Sequence, residues 1–256
     1  WIYKMDELVQ NTPSRNSSTQ IRHISLTEEI EKRAKGIMYM FGCCQTLRLS
    51  RSVAMTAAYY FHRFYMRKDL TSHHYFEIAA ASLFIAGKAE ECRRRLADVV
   101  KVCARIALRG KINEVIDENS KIYWKWKDLL THLEEVMLET LCFEVTEENA
   151  YKFCLKALKL DEEPSKQNTE WCAKSRGIYM ASTQFFEITY RLPLILLYRT
   201  NEVSAVGLIV GCSKENIVMP ENFFESELHT TVEQAWKCYE DLVKLGKELS
   251  HSDPNI

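Results

Sequence analysis

Charged side chains begin abruptly at the end of the most apolar stretch of the chain. Residues 78–87 carry no charge and a single hydroxyl, and Lys88, Glu90 and Glu91 follow at once. A Lys at a helix end usually binds the last carbonyls of its own helix and interacts favourably with the helix dipole. Charges placed where a buried helix emerges are also accessible to another molecule. The spacing therefore indicates a binding edge at residues 88–91 and leaves its occupant open.

A basic cluster lies just beyond this edge. Its members are Arg93, Arg94, Arg95, Lys101, Arg105 and Arg109. The last three recur at every fourth residue and share one face of a predicted helix. Such a face could receive an acidic partner or RNA. No aromatic side chain is interleaved for stacking on bases, so a solvated helical face is the favoured interpretation.

Common catalytic motifs are absent. The chain contains no G-x-x-x-x-G-K-S/T, G-x-G-x-x-G, H-E-x-x-H or G-x-S-x-G pattern. Glu134 and Glu135 are adjacent on a predicted helix, point about 100° apart and cannot both face one substrate. His62 has no Ser or Cys near it in a nucleophile setting. The sequence therefore predicts no catalytic residue, no metal site and no cofactor.

Composition favours an all-α protein. Of 256 residues, 46% are hydrophobic, and only eight Gly and five Pro are present for tight turns. The 34 Lys and Arg nearly balance the 35 Asp and Glu, which disfavours binding of nucleic acid or anionic lipid through overall charge. No signal peptide or spanning segment is visible, and a nuclear or cytosolic protein is expected.

The nine cysteines are an odd number, and no pair has the C-x-x-C spacing of a zinc site or dithiol. Six of them fall within apolar helical patterns, which predicts small, reduced core residues of an intracellular protein. These six are Cys43, Cys103, Cys142, Cys154, Cys172 and Cys212.

The apolar stretch also predicts how the fold is organised. A helix that is apolar on every face must be enclosed by other helices, so we call the helix beginning near residue 73 the hub helix. Residues 203–212 form a second uncharged run of small and apolar residues. We expect an N-terminal arm at residues 1–26 and two helical domains at 27–146 and 147–256. Thr27 and Ser50 are the predicted N-caps of the first two long helices.

Four strings resemble the cyclin box in order and spacing. They are Arg33-Ala, Tyr60-Phe-His-Arg-Phe-Tyr-Met66, Leu83-Phe-Ile-Ala-Gly-Lys-Ala-Glu-Glu91 and Leu133-Glu-Glu-Val-Met-Leu-Glu-Thr-Leu-Cys-Phe-Glu144. Within that family the chain is most similar to the transcriptional cyclins of the T and K type, through Trp1, Thr12-Pro13-Ser14 and the His-Arg-Phe-Tyr-Met string. The resemblance is specific for residues 1–150 and looser beyond them.

The resemblance implies two tandem five-helix cyclin boxes and no active site. The implied partner is a cyclin-dependent kinase of the kind that phosphorylates the C-terminal repeats of RNA polymerase II during transcription elongation. Further elongation or kinase-complex subunits and a nuclear location are also implied. The residues expected to contact the kinase are Lys88, Ala89, Glu134, Leu138, Phe143 and Val145.

Arg33 matches a basic residue that orders the box in this family. His62 stands where cell-cycle cyclins carry Asp, so an Arg–Asp pair is not expected here. Residues 32–36 read Lys-Arg-Ala-Lys-Gly and lack the Met-Arg-Ala-Ile-Leu docking patch, which makes substrate capture through that patch unexpected. The resemblance would also let the basic cluster receive phosphorylated polymerase repeats.

Two other functions are weighed against this one. A nucleic-acid-binding factor of the initiation factor IIB type has the same fold, but it should be basic and usually follows a zinc ribbon. An all-helical enzyme of the isoprenoid type needs an Asp-rich metal-binding motif, and none is present. The sequence therefore favours a kinase-activating cyclin, with the nucleic-acid-binding factor as the alternative.

Overall fold

The computed structural model describes residues 2–16, 23–108, 115–146, 148–161, 170–220 and 222–250, and within these ranges the regular structure is helical without any strand. The all-α prediction is confirmed. In chain order the helices are α1 (Met5–Gln10), α2 (Pro13–Asn16), α3 (Leu26–Thr46), α4 (Arg51–Phe64), α5 (Tyr75–Ala89), α6 (Leu96–Ala107), α7 (Lys121–Thr140), α8 (Ala150–Ala157), α9 (Glu170–Thr189), a 3-10 turn (Pro193–Leu196), α10 (Thr200–Lys214), α11 (Phe223–Ser226) and α12 (Val232–Ser250).

The hub helix is α5, and it is enclosed as predicted. Residues 78–87 are all buried, and α5 packs against α3, α4, α6 and α7. Its lone hydroxyl, on Ser82, donates to the carbonyl of Ile78 at 2.7 Å, so no polar group there lacks a partner. Because small residues dominate α5, four neighbouring helices can approach it at once.

The second apolar run forms α10, which packs against α8, α9 and α12. A Cβ atom on Gly207 would lie 2.3 Å from the ring of Phe186, and one on Gly211 would lie 2.5 Å from the carbonyl oxygen of Ile178. Glycine is therefore required at both positions for α9 to approach this closely. In the described residues, α3, α4, α6 and α7 surround α5, and α8, α9 and α12 pack against α10, which matches the expected tandem arrangement.

Helix starts follow side-chain capping. Ser50 caps α4 as predicted, but Ser25, and not Thr27, caps α3: its hydroxyl accepts the N–H of Glu28 at 3.1 Å. Thr27 instead donates to the carboxylate of Glu248 on α12 at 2.9 Å. The cap shifts by two residues because a tertiary contact engages the second hydroxyl.

Helix ends rarely use glycine. Five residues that follow helix ends have φ between 51° and 56°, and none of them is glycine: Arg48, Glu91, Cys142, Lys159 and Asn216. After α3, the N–H of Leu49 returns to the carbonyl of Cys44 at 3.0 Å, and α7, α8 and α10 end with the same bond pattern. These bonds satisfy carbonyls that the helix leaves unpaired.

The two helical groups are joined by buried polar contacts. Glu90 turns inward from the charged edge and accepts Thr56 at 2.8 Å and Lys152 at 2.5 Å. The side-chain amide of Asn149 donates to the Ser52 hydroxyl at 3.0 Å and to that of Thr56 at 2.9 Å. The bond of Glu90 with Lys152 and the two bonds of Asn149 cross from the first helical group to α8 or its cap, and these contacts orient the two groups.

The burial predicted for two of the six cysteines was wrong. Cys142 and Cys172 are exposed, whereas Cys43, Cys103, Cys154 and Cys212 are buried, and no disulfide forms among the nine cysteines, all of which lie in the described residues. No described helix has the length and hydrophobicity needed to cross a bilayer. The described residues also hold no group of three or more metal-ligating side chains.

Replacing Ala81 with Leu should lower the free energy of unfolding by about 1–3 kcal/mol, because three added carbons must fit inside an enclosed helix. Ala86→Leu should behave alike. Urea unfolding followed by circular dichroism measures the loss. Ala89→Leu is the matched control, since Ala89 is exposed on the same helix. Equal stability of the Ala81 and Ala89 variants would contradict enclosure of α5.

Candidate functional site

A charge pair marks the surface where α5 ends against α7. Lys88 Nζ lies 2.5 Å from Glu134 Oε1 and 4.2 Å from the centre of the Phe84 ring. The Lys88 side chain is 43% exposed and that of Glu134 is 23% exposed. The packing of α5 on α7 thus brings together two predicted site residues that are 46 positions apart in the sequence.

This pair keeps unused hydrogen-bonding capacity. An ammonium has three donors and a carboxylate has about four acceptor positions, so one mutual bond leaves several of each. Because water reaches both groups, the pair contributes little to stability. Its chemistry suits it to bind a partner's carbonyl oxygens through Lys88 and N–H groups through Glu134.

An apolar edge adjoins the pair. Phe143 is 68% exposed and Ala89 is also exposed, whereas Leu138 and Val145 are half-buried. The N–H of Phe143 donates to the carbonyl of Leu138 at 2.8 Å, so the turn after α7 brings these two residues together. A large exposed aromatic that follows the helix carrying a charged site residue is typical of a protein-binding surface.

Tyr60 and Arg63, two residues of the family string at 60–66, hold this turn in place. The Tyr60 hydroxyl donates to the carbonyl of Val145, and Arg63 Nη1 donates to that of Glu144 at 3.1 Å. Both lie on α4 and both side chains are buried. Their separation of three positions places them on one helix face. The spacing of Tyr60 and Arg63 can be seen in the sequence, but it does not show which segment of the chain their side chains bind.

Arg33 is fully buried. Its guanidinium donates to Glu29 Oε1 through Nη2 at 2.7 Å and Nε at 2.9 Å, and to the carbonyl of His62 at 3.0 Å. Glu29 also accepts Thr12 at 2.7 Å and Arg15 at 2.5 Å. The carboxylate partner of Arg33 is therefore on α3 itself, one turn earlier, and the same carboxylate binds the N-terminal arm.

His62 completes this buried cluster as a neutral imidazole. Its Nε2 lies 3.0 Å from the carbonyl oxygen of Tyr190 and its Nδ1 lies 3.4 Å from Arg33 Nη1. A proton on Nε2 satisfies both contacts. Burial, and then the charge of Arg33, lower the pKa of His62 to about 3. His62 thereby links α4 to the segment after α9.

The basic cluster is partly engaged within the chain. Arg94 donates to the carbonyls of Leu47 at 3.0 Å and Arg48 at 2.7 Å, and Arg95 pairs with Asp98 at 2.9 Å. The other described members, Arg93, Lys101 and Arg105, reach solvent, and Arg109 lies outside the described residues, as does Trp1. A role of this cluster in binding stays a prediction.

The family comparisons concern both halves of the chain. A family model for the N-terminal domain of cyclins matches residues 2–146. Cyclin pch1 of Schizosaccharomyces pombe is 31% identical over 242 residues, which cover 94% of this chain and 65% of that protein. Cyclin-T2 of Mus musculus is 29% identical over 223 residues, which cover 86% of this chain and 28% of that protein. The chain thus spans less than two thirds of each relative.

A solved structure shares the fold. A chain of the yeast RNA Pol II CTD kinase CTDK-1 complex superposes with a TM-score of 0.68 and 15% sequence identity, covering 86% of this chain and 67% of that one. At this identity the likeness concerns the fold alone. It extends past residue 146, where the family model ends, into the second helical group.

The neutral His62 should make the protein less stable in acid. The unfolded chain binds a proton near pH 6.5, whereas the folded pKa of His62 is about 3. Between these values the unfolded state binds more protons, so the free energy of unfolding falls by up to about 1.4 kcal/mol for each pH unit of acidification.

Urea unfolding of the parent and of His62→Gln at about pH 7.5 and about pH 5.5 tests this, because the variant should lose less stability. His132→Gln, at an exposed position on α7, should keep the parent's pH dependence. An identical loss in parent and His62→Gln would show that His62 is not responsible.

Cys142→Gly should stabilise the chain by about 1 kcal/mol, because glycine adopts a positive φ without the Cβ clash of an L residue. Cys142 has φ 55° at the end of α7. Cys142→Ala is the control, since it removes the thiol and keeps the Cβ. Thermal unfolding of both variants gives the result, and a glycine variant no more stable than the alanine variant would argue against backbone strain.

Proposed function

The chain belongs to the cyclin family, since the family model covers more than half of it, and we propose that it is a regulatory subunit that binds and activates a cyclin-dependent kinase. The observation that carries this proposal is the Lys88–Glu134 pair, together with the exposed Phe143 in the turn after α7. These groups offer donors, acceptors and an apolar anchor at the accessible edge of a cyclin fold, and a kinase segment with free backbone groups could use all three.

The proposed kinase is one that phosphorylates the C-terminal domain of RNA polymerase II in transcription elongation. The similarity to cyclin-T2 and to cyclin pch1 supports this choice, as does the fold shared with a chain of the CTDK-1 complex. We also propose further subunits of the kinase complex as partners and a nuclear location, which follows from the substrate. No cofactor is part of this proposal.

The proposed mechanism is differential binding rather than catalysis by this chain. A subunit activates an enzyme when it binds the active arrangement more tightly than the inactive one, and that difference in affinity limits the activation. Lys88, Glu134, Ala89, Leu138, Phe143 and Val145 are the proposed kinase contacts. Arg33 has a structural role, because its buried cluster joins the arm, α3 and α4.

We assign the kinase contacts to a first cyclin box at residues 27–146, preceded by the arm at 1–26 and followed by a second box at 147–256. The packing of α3, α4, α6 and α7 around α5, and of α8, α9 and α12 around α10, supports this division. The arm contributes to the first box through Thr12 and Arg15, which bind Glu29.

Affinity purification of the tagged chain followed by mass spectrometry should recover a kinase catalytic subunit. Binding of duplex DNA in place of a kinase would favour the nucleic-acid-binding alternative. The purified chain alone should transfer no phosphate, and phosphorylation by it would refute the regulatory assignment.

Lys88→Ala and Glu134→Ala should each raise the dissociation constant of the recovered kinase by about tenfold or more, because a charged group left unpaired in an interface is costly. Circular dichroism should show unchanged folding. Lys156→Ala is the matched control, since Lys156 forms an exposed pair with Glu148 that also measures 2.5 Å. Unchanged kinase binding in both site variants would exclude the assignment.

A further inference from the structure

We propose that Tyr60 and Arg63 are positioning residues that hold the turn at residues 141–145 so that Phe143 projects toward the kinase. This inference rests on the proposed function. It adds two buried residues of α4 that act through the turn and do not themselves touch the partner.

The turn has an unusual backbone. The N–H of Cys142 bonds to the carbonyl of Glu139 at 3.0 Å and that of Phe143 to the carbonyl of Leu138 at 2.8 Å, a pattern that requires a positive φ at Cys142 only. Phe143 nevertheless has φ 57°. A bulky residue in this region is uncommon, because its Cβ crowds the backbone.

The other helix ends provide the comparison. After α3, α5, α8 and α10, one residue has a positive φ and the next residue does not. Among the described residues that follow these helices and α7, Phe143 alone is a second left-handed position. Closing the helix therefore does not account for its conformation.

Contacts from α4 account for it. The Tyr60 hydroxyl bonds to the carbonyl of Val145, and Arg63 bonds to the carbonyl of Glu144 at 3.1 Å and to its carboxylate at 3.3 Å. The side chains of Tyr60 and Arg63 are fully buried, and the Arg63 guanidinium lies 5.2 Å from the centre of the Tyr59 ring. Anchored side chains of this kind fix the two carbonyls that follow Phe143.

The result of this arrangement is an aromatic ring left in solvent. Phe143 is 68% exposed, so its burial within the chain does not compensate for its backbone strain. Strained residues persist where the surrounding structure holds them, and they cluster at binding sites. A side chain presented in advance also loses less conformational freedom when a partner binds it. The geometry therefore points to presentation of Phe143 as the role of Tyr60 and Arg63.

The first test uses the free chain and needs no partner. Tyr60→Phe removes one hydroxyl and should speed hydrogen exchange at the amides of Phe143 and Glu144 about fivefold to tenfold, the equivalent of one hydrogen bond. Tyr39→Phe is the matched control, because it removes a buried hydroxyl that donates to the carbonyl of Cys103 at 2.8 Å, far along the chain. Unchanged exchange in Tyr60→Phe would overturn the proposal.

The second test is a double-mutant cycle on the kinase that copurifies with the parent chain. Tyr60→Phe should raise its dissociation constant about fivefold, and Phe143→Ala should raise it at least as much. Combining them should match Phe143→Ala alone, because Tyr60 acts through Phe143. Multiplying effects, or a Tyr60→Phe affinity equal to that of Tyr39→Phe, would overturn the positioning role.

The two tests separate this inference from the proposed function. Faster exchange in Tyr60→Phe together with unchanged kinase affinity would overturn the role in kinase binding while leaving the Lys88–Glu134 surface assigned. Failure of the parent chain to bind any kinase would overturn the proposed function and this role with it. Arg63→Met should repeat the Tyr60→Phe result, and if it fails to fold the Tyr60→Phe measurements decide alone.

Discussion

Enclosure of α5 governs where the other helices of the first group lie. A helix without a polar face must be covered on every side, so α3, α4, α6 and α7 take positions that its surface dictates. Their loops and caps then have limited freedom. At Lys88 the surrounding helices no longer enclose α5, and there Lys88 forms its charge pair with Glu134.

The same group of helices also buries a charged side chain, the guanidinium of Arg33. A fully buried guanidinium needs a nearby carboxylate and further hydrogen bonds, because an unpaired charge in the interior is strongly destabilising. Glu29 supplies the carboxylate from one turn earlier on α3, and His62 supplies a carbonyl and a neutral ring. Since Glu29 also binds Thr12 and Arg15, one buried anion connects the arm to the first helical group. His62 extends this connection to Tyr190 in the second group.

The proposed binding surface is rigidly supported. In the free chain it exposes an aromatic ring and two charged groups that can form further hydrogen bonds. Phe143 is held in solvent by a strained turn, and Lys88 and Glu134 keep hydrogen bonds to offer. The frame behind them is closely packed, so little reorganisation is needed on binding. Such preorganisation converts more of the contact energy into affinity. Through this preorganisation, the buried residues Tyr60 and Arg63 contribute to an exposed site.

Residue type and periodicity were enough to predict the all-α class, the enclosed α5 and the second apolar helix α10, because both act locally and burial requires them. The sequence also indicated Lys88 as the edge of the buried helix. It did not reveal the left-handed backbone at the helix ends, since residues such as Cys142 adopt a positive φ there without the glycine that would have marked it.

Which side chains meet across helices depends on how those helices pack. Lys88 and Glu134 lie on different helices, and Glu29 becomes the partner of Arg33 because α3 turns both inward beside His62. The contact of Tyr60 with the carbonyl of Val145 spans 85 positions, and no periodicity encodes it. Hydrogen bonds between distant segments depend on the packing of whole helices, and for that reason the support behind Phe143 could be seen only in the folded chain.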